Sequence, residues 1–170
     1  SNKGLVPYIK RHGEKLRGVE VGTCRAESTY FFLEKCPNIE MLFTVDPYEA
    51  YDDWNGQVTQ ETLDKFKAIA EKNLKKFEGR FEMVKSSSAD FAKQSKKNKS
   101  QFDFIFIDGD HSYENAKHDI STYYSKVRSG GLFSGHDFSL PGVTKALKEF
   151  IVEAGINPKS LMFTANDVWL

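Results

Sequence analysis

Five stretches of the sequence put ionisable or small polar residues directly after a short apolar run: Glu20-Val21-Gly22-Thr23, Asp46-Pro47, Ser86-Ser87-Ser88, Asp108-Gly109-Asp110-His111 and His136-Asp137. Carboxylates are rarely buried without partners, so five such endings form the pattern of a site rather than of packing. Asp108, Asp110, His111, His136 and Asp137 offer hard oxygen ligands for Mg2+, Mn2+ or Ca2+, and a histidine among them tilts the set toward Mn2+ or another transition ion. A cation there would act as a Lewis acid on an acceptor oxygen. His111, with an ordinary pKa of about 6.5, can take a proton from an acceptor hydroxyl at neutral pH. Each residue also has a plainer reading. Glu20 can anchor a loop through an ion pair, and Asp46 can turn the chain before Pro47. His111 can bond Asp108 or Asp110 at the start of a helix, and His136 can partner the last strands.

For these residues to meet, the elements before them must lie side by side. Strand-like runs at 17–23, 41–45, 81–85, 102–108 and 132–135 alternate with helical patterns at 27–35, 62–77, 89–97, 113–127 and 143–154. Pro37 closes the first helix, Thr59 caps the second, Gly79 stops it, and Ser88 caps the third. Residues 48–58 read as a polar, aromatic loop. The near-continuous apolar run at 102–108 suits a central parallel strand buried on both faces. Runs at 161–164 and 168–170, joined by Asn166-Asp167, predict an antiparallel end to the sheet. There is no internal repeat. The alternation predicts an α/β fold with a parallel sheet and right-handed crossovers. In such sheets ligands bind beyond the carboxyl ends of the strands, where all five chemical stretches fall.

Composition narrows the function classes. A chain of 170 residues predicts a single domain over 1–170. Lys plus Arg and Asp plus Glu each number 24, so the basic excess of a nucleic-acid binder is missing. A hydrophobic fraction of 39%, with 14 Phe, supplies a real core and argues against disorder. No run approaches the roughly 18 apolar residues of a membrane span. No signal peptide is visible, and the leading Ser1-Asn2 reads as a vector remnant. Cys24 and Cys36 sit in no CxxC or CxxH arrangement, which disfavours structural zinc and a disulfide framework; a reducing, cytoplasmic setting is the expectation. The four lysines of 93–99 read as a solvated helix end, and His12 and His118 as surface residues. Nothing marks Cys24 as a nucleophile.

The first loop carries more information. Glycine after a strand lets backbone approach a ligand, and the next helix offers free N–H groups. Asp46 follows Glu20 by 26 positions, close to the spacing at which an acid ending the second strand accepts from ribose hydroxyls. Gly22 stands alone, however, with Cys24 and Ala26 where a G-x-G-x-G cradle would have glycines. That disfavours NAD and its pyrophosphate and suits a nucleoside without phosphates, such as S-adenosylmethionine. Tyr48, Tyr51 and Trp54, just after Asp46, either stack on a base, close over an acceptor, or pack the loop.

The segments VEVGTCRAEST, VDPY, FIFIDGDHSYENAKHDI and RSGGLFSGHDF resemble the class I S-adenosylmethionine-dependent methyltransferases. The resemblance spans residues 15–155 and is nearest to a small branch carrying IDGDHSYE and GGL-x-x-GHD, similar to the macrocin-type O-methyltransferases and more distantly to catechol-type enzymes. It implies a Rossmann-like, seven-stranded, mostly parallel sheet with helices on both faces and the last strand antiparallel. It also implies S-adenosylmethionine as cofactor. By position, Glu20, Gly22 and Thr23 would flank its methionine part, Asp46 and Pro47 its ribose, and Ser88 and Ala89 its adenine. Asp108 would lie at the methionine and metal end. The resemblance further implies a divalent cation, Mg2+ or Mn2+, at Asp108, His136 and Asp137, with His111 as base. His136 stands where those relatives have a carboxylate, so one negative ligand is lost.

The expected activity is O-directed methyl transfer to a small-molecule or sugar hydroxyl, with no nucleic-acid or membrane partner and homodimerisation left open. A nonenzymatic cofactor-binding module and a metal-dependent hydrolase using the Asp/His cluster are the alternatives, because fold analogy alone does not establish chemistry.

Overall fold

The computed structural model describes residues 2–53, 56–97, 101–164 and 167–170. Trp54, Lys99 and Asn166 lie outside them. Strands β1 (Leu16–Val21), β2 (Ile39–Asp46), β5 (Phe81–Lys85), β6 (Phe102–Ile107), β7 (Val127–Gly135), β8 (Phe163–Thr164) and β9 (Val168–Trp169) form one sheet in the order β5-β2-β1-β6-β7-β9-β8. The first five run parallel, and β9 is antiparallel to both β7 and β8. Helices α1 (Val6–Arg11), α2 (Glu27–Lys35) and α3 (Gln60–Leu74) cover one face; α4 (Ser88–Lys97), α5 (Tyr113–Tyr124) and α6 (Pro141–Glu153) cover the other. This is the Rossmann-like methyltransferase architecture that the sequence led one to expect. Among the described residues no helix is long and apolar enough to cross a membrane.

Two cores follow from strand alternation. On β6, Ile105 and Ile107 pack with Phe91, Ile120, Leu147 and Phe150, while Phe104 and Phe106 pack with Phe32, Leu33 and Leu42 on the far side. Local signals then fix the helix starts. Thr59 accepts from the Thr62 amide at 3.3 Å and Ser112 from the Asn115 amide at 3.4 Å, each satisfying a first-turn donor.

Four expectations shift. Residues 48–58 are not all loop: β3 (Tyr51–Asp53) and β4 (Gly56–Val58) pair as an antiparallel hairpin, too short for its alternation to show in the sequence. Strand β7 starts at Val127, not 132. Its Gly130-Gly131 pair lies in a bulge, where a step from Phe102 to Phe104 on β6 spans Val127 to Leu132 on β7. Ser88 is the first residue of α4 rather than its cap, because the Ser87 hydroxyl takes the Asp90 amide at 3.1 Å. His12 is half-buried rather than a surface residue, with Nε2 sealed from solvent.

Gly18 shows how closely the sheet centre is filled. A Cβ there would fall within the Phe104 ring, which lies in the core against it. Gly18→Ala is expected to cost about 2 kcal/mol through overpacking, read from the midpoint of urea unfolding.

Candidate functional site

The loop from β1 to α2 is shaped by one side chain. Asp46, ending β2, accepts the amides of Thr23 at 3.1 Å and Cys24 at 2.9 Å on Oδ2, and of Tyr48 at 2.8 Å on Oδ1. Cys24, Ala26 and Tyr48 all have left-handed backbones, with φ of 46°, 59° and 47°. The chain thus adopts glycine-like conformations at 24 and 26 without the glycines, at about 1–2 kcal/mol per residue. Tyr48 helps hold that shape: it is 2% exposed, and its hydroxyl donates to the Cys24 carbonyl at 2.8 Å. So of the three aromatics, Tyr48 packs the loop, while Tyr51 is half exposed on β3. Gly22 is required for a second reason, since a Cβ on it would collide with the Asp108 carbonyl.

Glu20 lies beneath this loop, 1% exposed. It accepts from the hydroxyls of Thr29 and Thr44, and Thr44 continues to Thr23 at 2.5 Å. Burial pushes its pKa from 4.5 up to about 8, against the Thr29 bond and with help from the charges of Asp108 and Asp46. Glu20 therefore reaches the rim only through its hydroxyl partners, and no cation pairs with it among the described residues.

The second cluster assembles at the ends of β6 and β7. His111 Nε2 lies 2.7 Å from Asp137 Oδ2, and His136 Nδ1 lies 3.0 Å from Asp137 Oδ1 and 3.5 Å from Asp108 Oδ1. Asp137 turns its carboxylate between the two imidazoles from a left-handed backbone, φ 57°. The Trp169 indole on β9 donates to the His136 carbonyl at 3.2 Å, and a Cβ on Gly142 would strike the His111 carbonyl, so α6 and β9 fix the two histidines from behind. Asp110 is not in the cluster. It accepts the Ser112 amide at 2.7 Å and so builds the start of α5.

Electrostatics separates the two acids. Burial raises Asp108 to about 6, opposed by His136 and His111. Burial acts upward on Asp137 too, but its hydrogen bonds to His111 and His136 outweigh it and hold it well below 3.8. The same bond raises His111 above 6.5 against its own burial. One ligand atom each of Asp108, His111 and Asp137 falls within 4.8 Å of the others, and His136 touches both acids. Two carboxylates with imidazole nitrogens fit a divalent cation, Mn2+ better than Mg2+.

Ser88, assigned to adenine by resemblance, donates to Asp119 at 2.6 Å, with Ala89 next on α4. Asp119 and Gly142 were not legible as site residues, and Tyr48 was legible only as one of three aromatics able to stack on a base, close over an acceptor or pack the loop. For Tyr48 the available signal was its place after the acid and Pro47; for Gly142, a glycine just inside a helix behind Pro141.

Two expected outcomes follow from this geometry. The folded state keeps the Glu20 proton between pH 4.5 and about 8, where the unfolded chain has released it. Stability from this group is therefore full at low pH and declines as pH rises through that window, by roughly 5 kcal/mol in the limit. Glu20→Gln should flatten the dependence of Tm on pH between 5 and 8; an unchanged slope removes the assignment. Cys24→Gly, at an exposed left-handed position, should raise stability by about 1 kcal/mol in urea unfolding.

Comparison with known proteins bears on the fold and the family. A search of the curated proteins finds no match. Among solved structures, the chain is similar to a Bacillus cereus O-methyltransferase solved in complex with SAH (18% identity, 97% of this chain and 76% of that one, TM-score 0.70). It is also similar to CalS11, a calicheamicin methyltransferase (12%, 97% and 76%, TM-score 0.69). A third is a ribosomal protein L11 methylase from Lactobacillus delbrueckii subsp. bulgaricus (16%, 98% and 74%, TM-score 0.58). At these identities the likeness shows the fold alone. A family model described as a methyltransferase domain matches residues 19–138, from the middle of β1 to just past Asp137. With both clusters inside that match, the chain belongs to the methyltransferase-domain family and has the Rossmann-like methyltransferase fold.

Proposed function

We propose that this chain transfers the methyl group of S-adenosylmethionine to a hydroxyl of a small molecule or sugar. The observation that supports it is the convergence of His111, Asp108, His136 and Asp137 at the ends of β6 and β7, beside the loop that Asp46 shapes. When bound, S-adenosylmethionine supplies a methyl group on a positively charged sulfur.

The chain's own residues supply the rest. A carboxylate has about four lone-pair sites, and Asp46 spends three on amides, so one stays for a ribose hydroxyl. Gly22 and Thr23 flank the amino-acid part above Glu20, and Pro47 adjoins the ribose. Ser88 and Ala89, opening α4, lie toward the base. Asp108 puts a carboxylate near the positive sulfur. His111 gives its Nε2–H to Asp137, which leaves Nδ1 with the lone pair that takes the acceptor's proton, and Asp137 stabilises the resulting imidazolium. Orientation of the acceptor oxygen in line with the methyl–sulfur bond supplies much of the rate. Asp108, His136 and Asp137 would hold a divalent cation, whose chemistry there is that of a Lewis acid on the acceptor oxygen.

Calorimetry is expected to give micromolar binding of S-adenosylmethionine and at least a tenfold loss in Asp46→Ala; unchanged affinity would remove the ribose assignment. His111→Gln should keep cofactor and Mn2+ binding while lowering kcat by about 10²–10⁴ on a panel of phenols and sugar hydroxyls. Loss of Mn2+ binding in that variant would place His111 among the ligands instead of the base.

A further inference from the structure

The last two strands reach back to the segment that carries the acid–histidine cluster. Asp167, entering β9, spends both carboxylate oxygens on Ser139: Oδ1 accepts its amide at 2.8 Å and Oδ2 its hydroxyl at 2.5 Å. The Asp167 carbonyl accepts the Phe138 amide at 3.4 Å, and the rings of Phe138 and Phe163, on β8, lie 4.5 Å apart. Two residues beyond Asp167, the Trp169 indole donates to the His136 carbonyl. The β8–β9 hairpin therefore holds the chain on both sides of Asp137.

Asp137 needs that hold. Its carboxylate reaches His111 and His136 from a left-handed backbone, φ 57°, a strained conformation for a residue with a side chain, and one that persists where the surroundings over-determine it. The backbone groups around it show what does so. The His136 amide donates to the Ile107 carbonyl at 2.9 Å, and the Leu140 amide closes back on the Asp137 carbonyl at 2.9 Å. The Thr144 hydroxyl bonds the Phe138 carbonyl. The two amides directly after Asp137, those of Phe138 and Ser139, have their partner in Asp167. The hairpin itself does not require this carboxylate, because the pairs Phe163–Trp169 and Thr164–Val168 already join β8 to β9.

We propose that Asp167 is a positioning residue for the acid–histidine cluster: by fixing the backbone at 138 and 139 it sets the angle at which Asp137 meets the two imidazoles. It touches neither cofactor nor acceptor. The geometric half of the assignment stands without the methyl-transfer reading, and the catalytic half rests on it.

The first readout needs neither metal nor substrate. In buffer alkaline enough to leave His111 neutral, the side-chain nitrogen NMR resonances of wild-type protein should show one fixed tautomer, with the proton on Nε2 toward Asp137. Asp167→Gly suits the left-handed backbone at 167 and removes the carboxylate, so it should give the averaged resonances of a mobile imidazole. The same variant should weaken Mn2+ binding and lower kcat, each about tenfold, while affinity for S-adenosylhomocysteine stays within about twofold. Asp167→Asn keeps an acceptor for the Ser139 amide and tolerates the backbone; it should restore the fixed tautomer and bring Mn2+ affinity and kcat within about threefold of wild type. Ser139→Ala removes one bond of the pair and should shift the His111 resonances part of the way, which gives a reading even if the glycine variant fails to fold. A fixed tautomer in folded Asp167→Gly, an averaged one in wild-type protein, no rescue by Asp167→Asn, or a loss of S-adenosylhomocysteine affinity equal to that of Mn2+ each overturns the positioning role. If the tautomers behave as expected while wild-type protein neither binds Mn2+ nor methylates an acceptor, the positioning role stands and the methyl-transfer reading falls.

Discussion

A carboxylate that collects three backbone amides decides the geometry of the rim. Asp46 gathers the N–H groups of Thr23, Cys24 and Tyr48, and through them it ties the end of β2 to the loop leaving β1. Charge-assisted bonds of this kind are about twice as strong as neutral ones. They offset the strain of left-handed Cys24, Ala26 and Tyr48, which a glycine-rich loop would not have to carry. The Tyr48 hydroxyl on the Cys24 carbonyl closes the same ring from the other side. Gln60, opening α3, extends the arrangement outward by donating to the Tyr48 carbonyl at 2.9 Å, so the hairpin and α3 are held to the same point.

The rim carries Glu20, Asp46, Asp108 and Asp137 close together, and each is accommodated differently. Glu20 is neutralised by burial, Asp46 is solvated by amides, and Asp137 is held ionised by two histidines. Asp108 sits between, with burial raising it and the histidines opposing. Groups of one chemical type with separated proton affinities are the usual basis for dividing binding from proton-transfer roles. Here the division follows distance from solvent: the most sealed acid is the one least able to charge.

Much of this was legible in the sequence, because the relevant signals are local. The apolar run at 102–108, the acids that end the strands and the cap Thr59 each act within a few residues, and all appear where pattern and capping chemistry place them. What stayed hidden depends on the third dimension. Missing glycines at 24 and 26 suggested a poor cradle, yet Asp46 and Tyr48 impose the glycine shape from another strand. The Gly130-Gly131 pair read as punctuation because a bulge and a turn use the same residues. Ser88 read as a cap because nothing in the sequence says that Asp119, thirty-one positions on, claims its hydroxyl.

Gly22 presses its backbone against the Asp108 carbonyl with no room for a methyl group between them. The hinge that a flexible protein would place between the Asp46 loop and the acid–histidine cluster is thus absent from this seam. Any adjustment of one cluster relative to the other has to come from the flanks, while the seam itself behaves as a rigid keel.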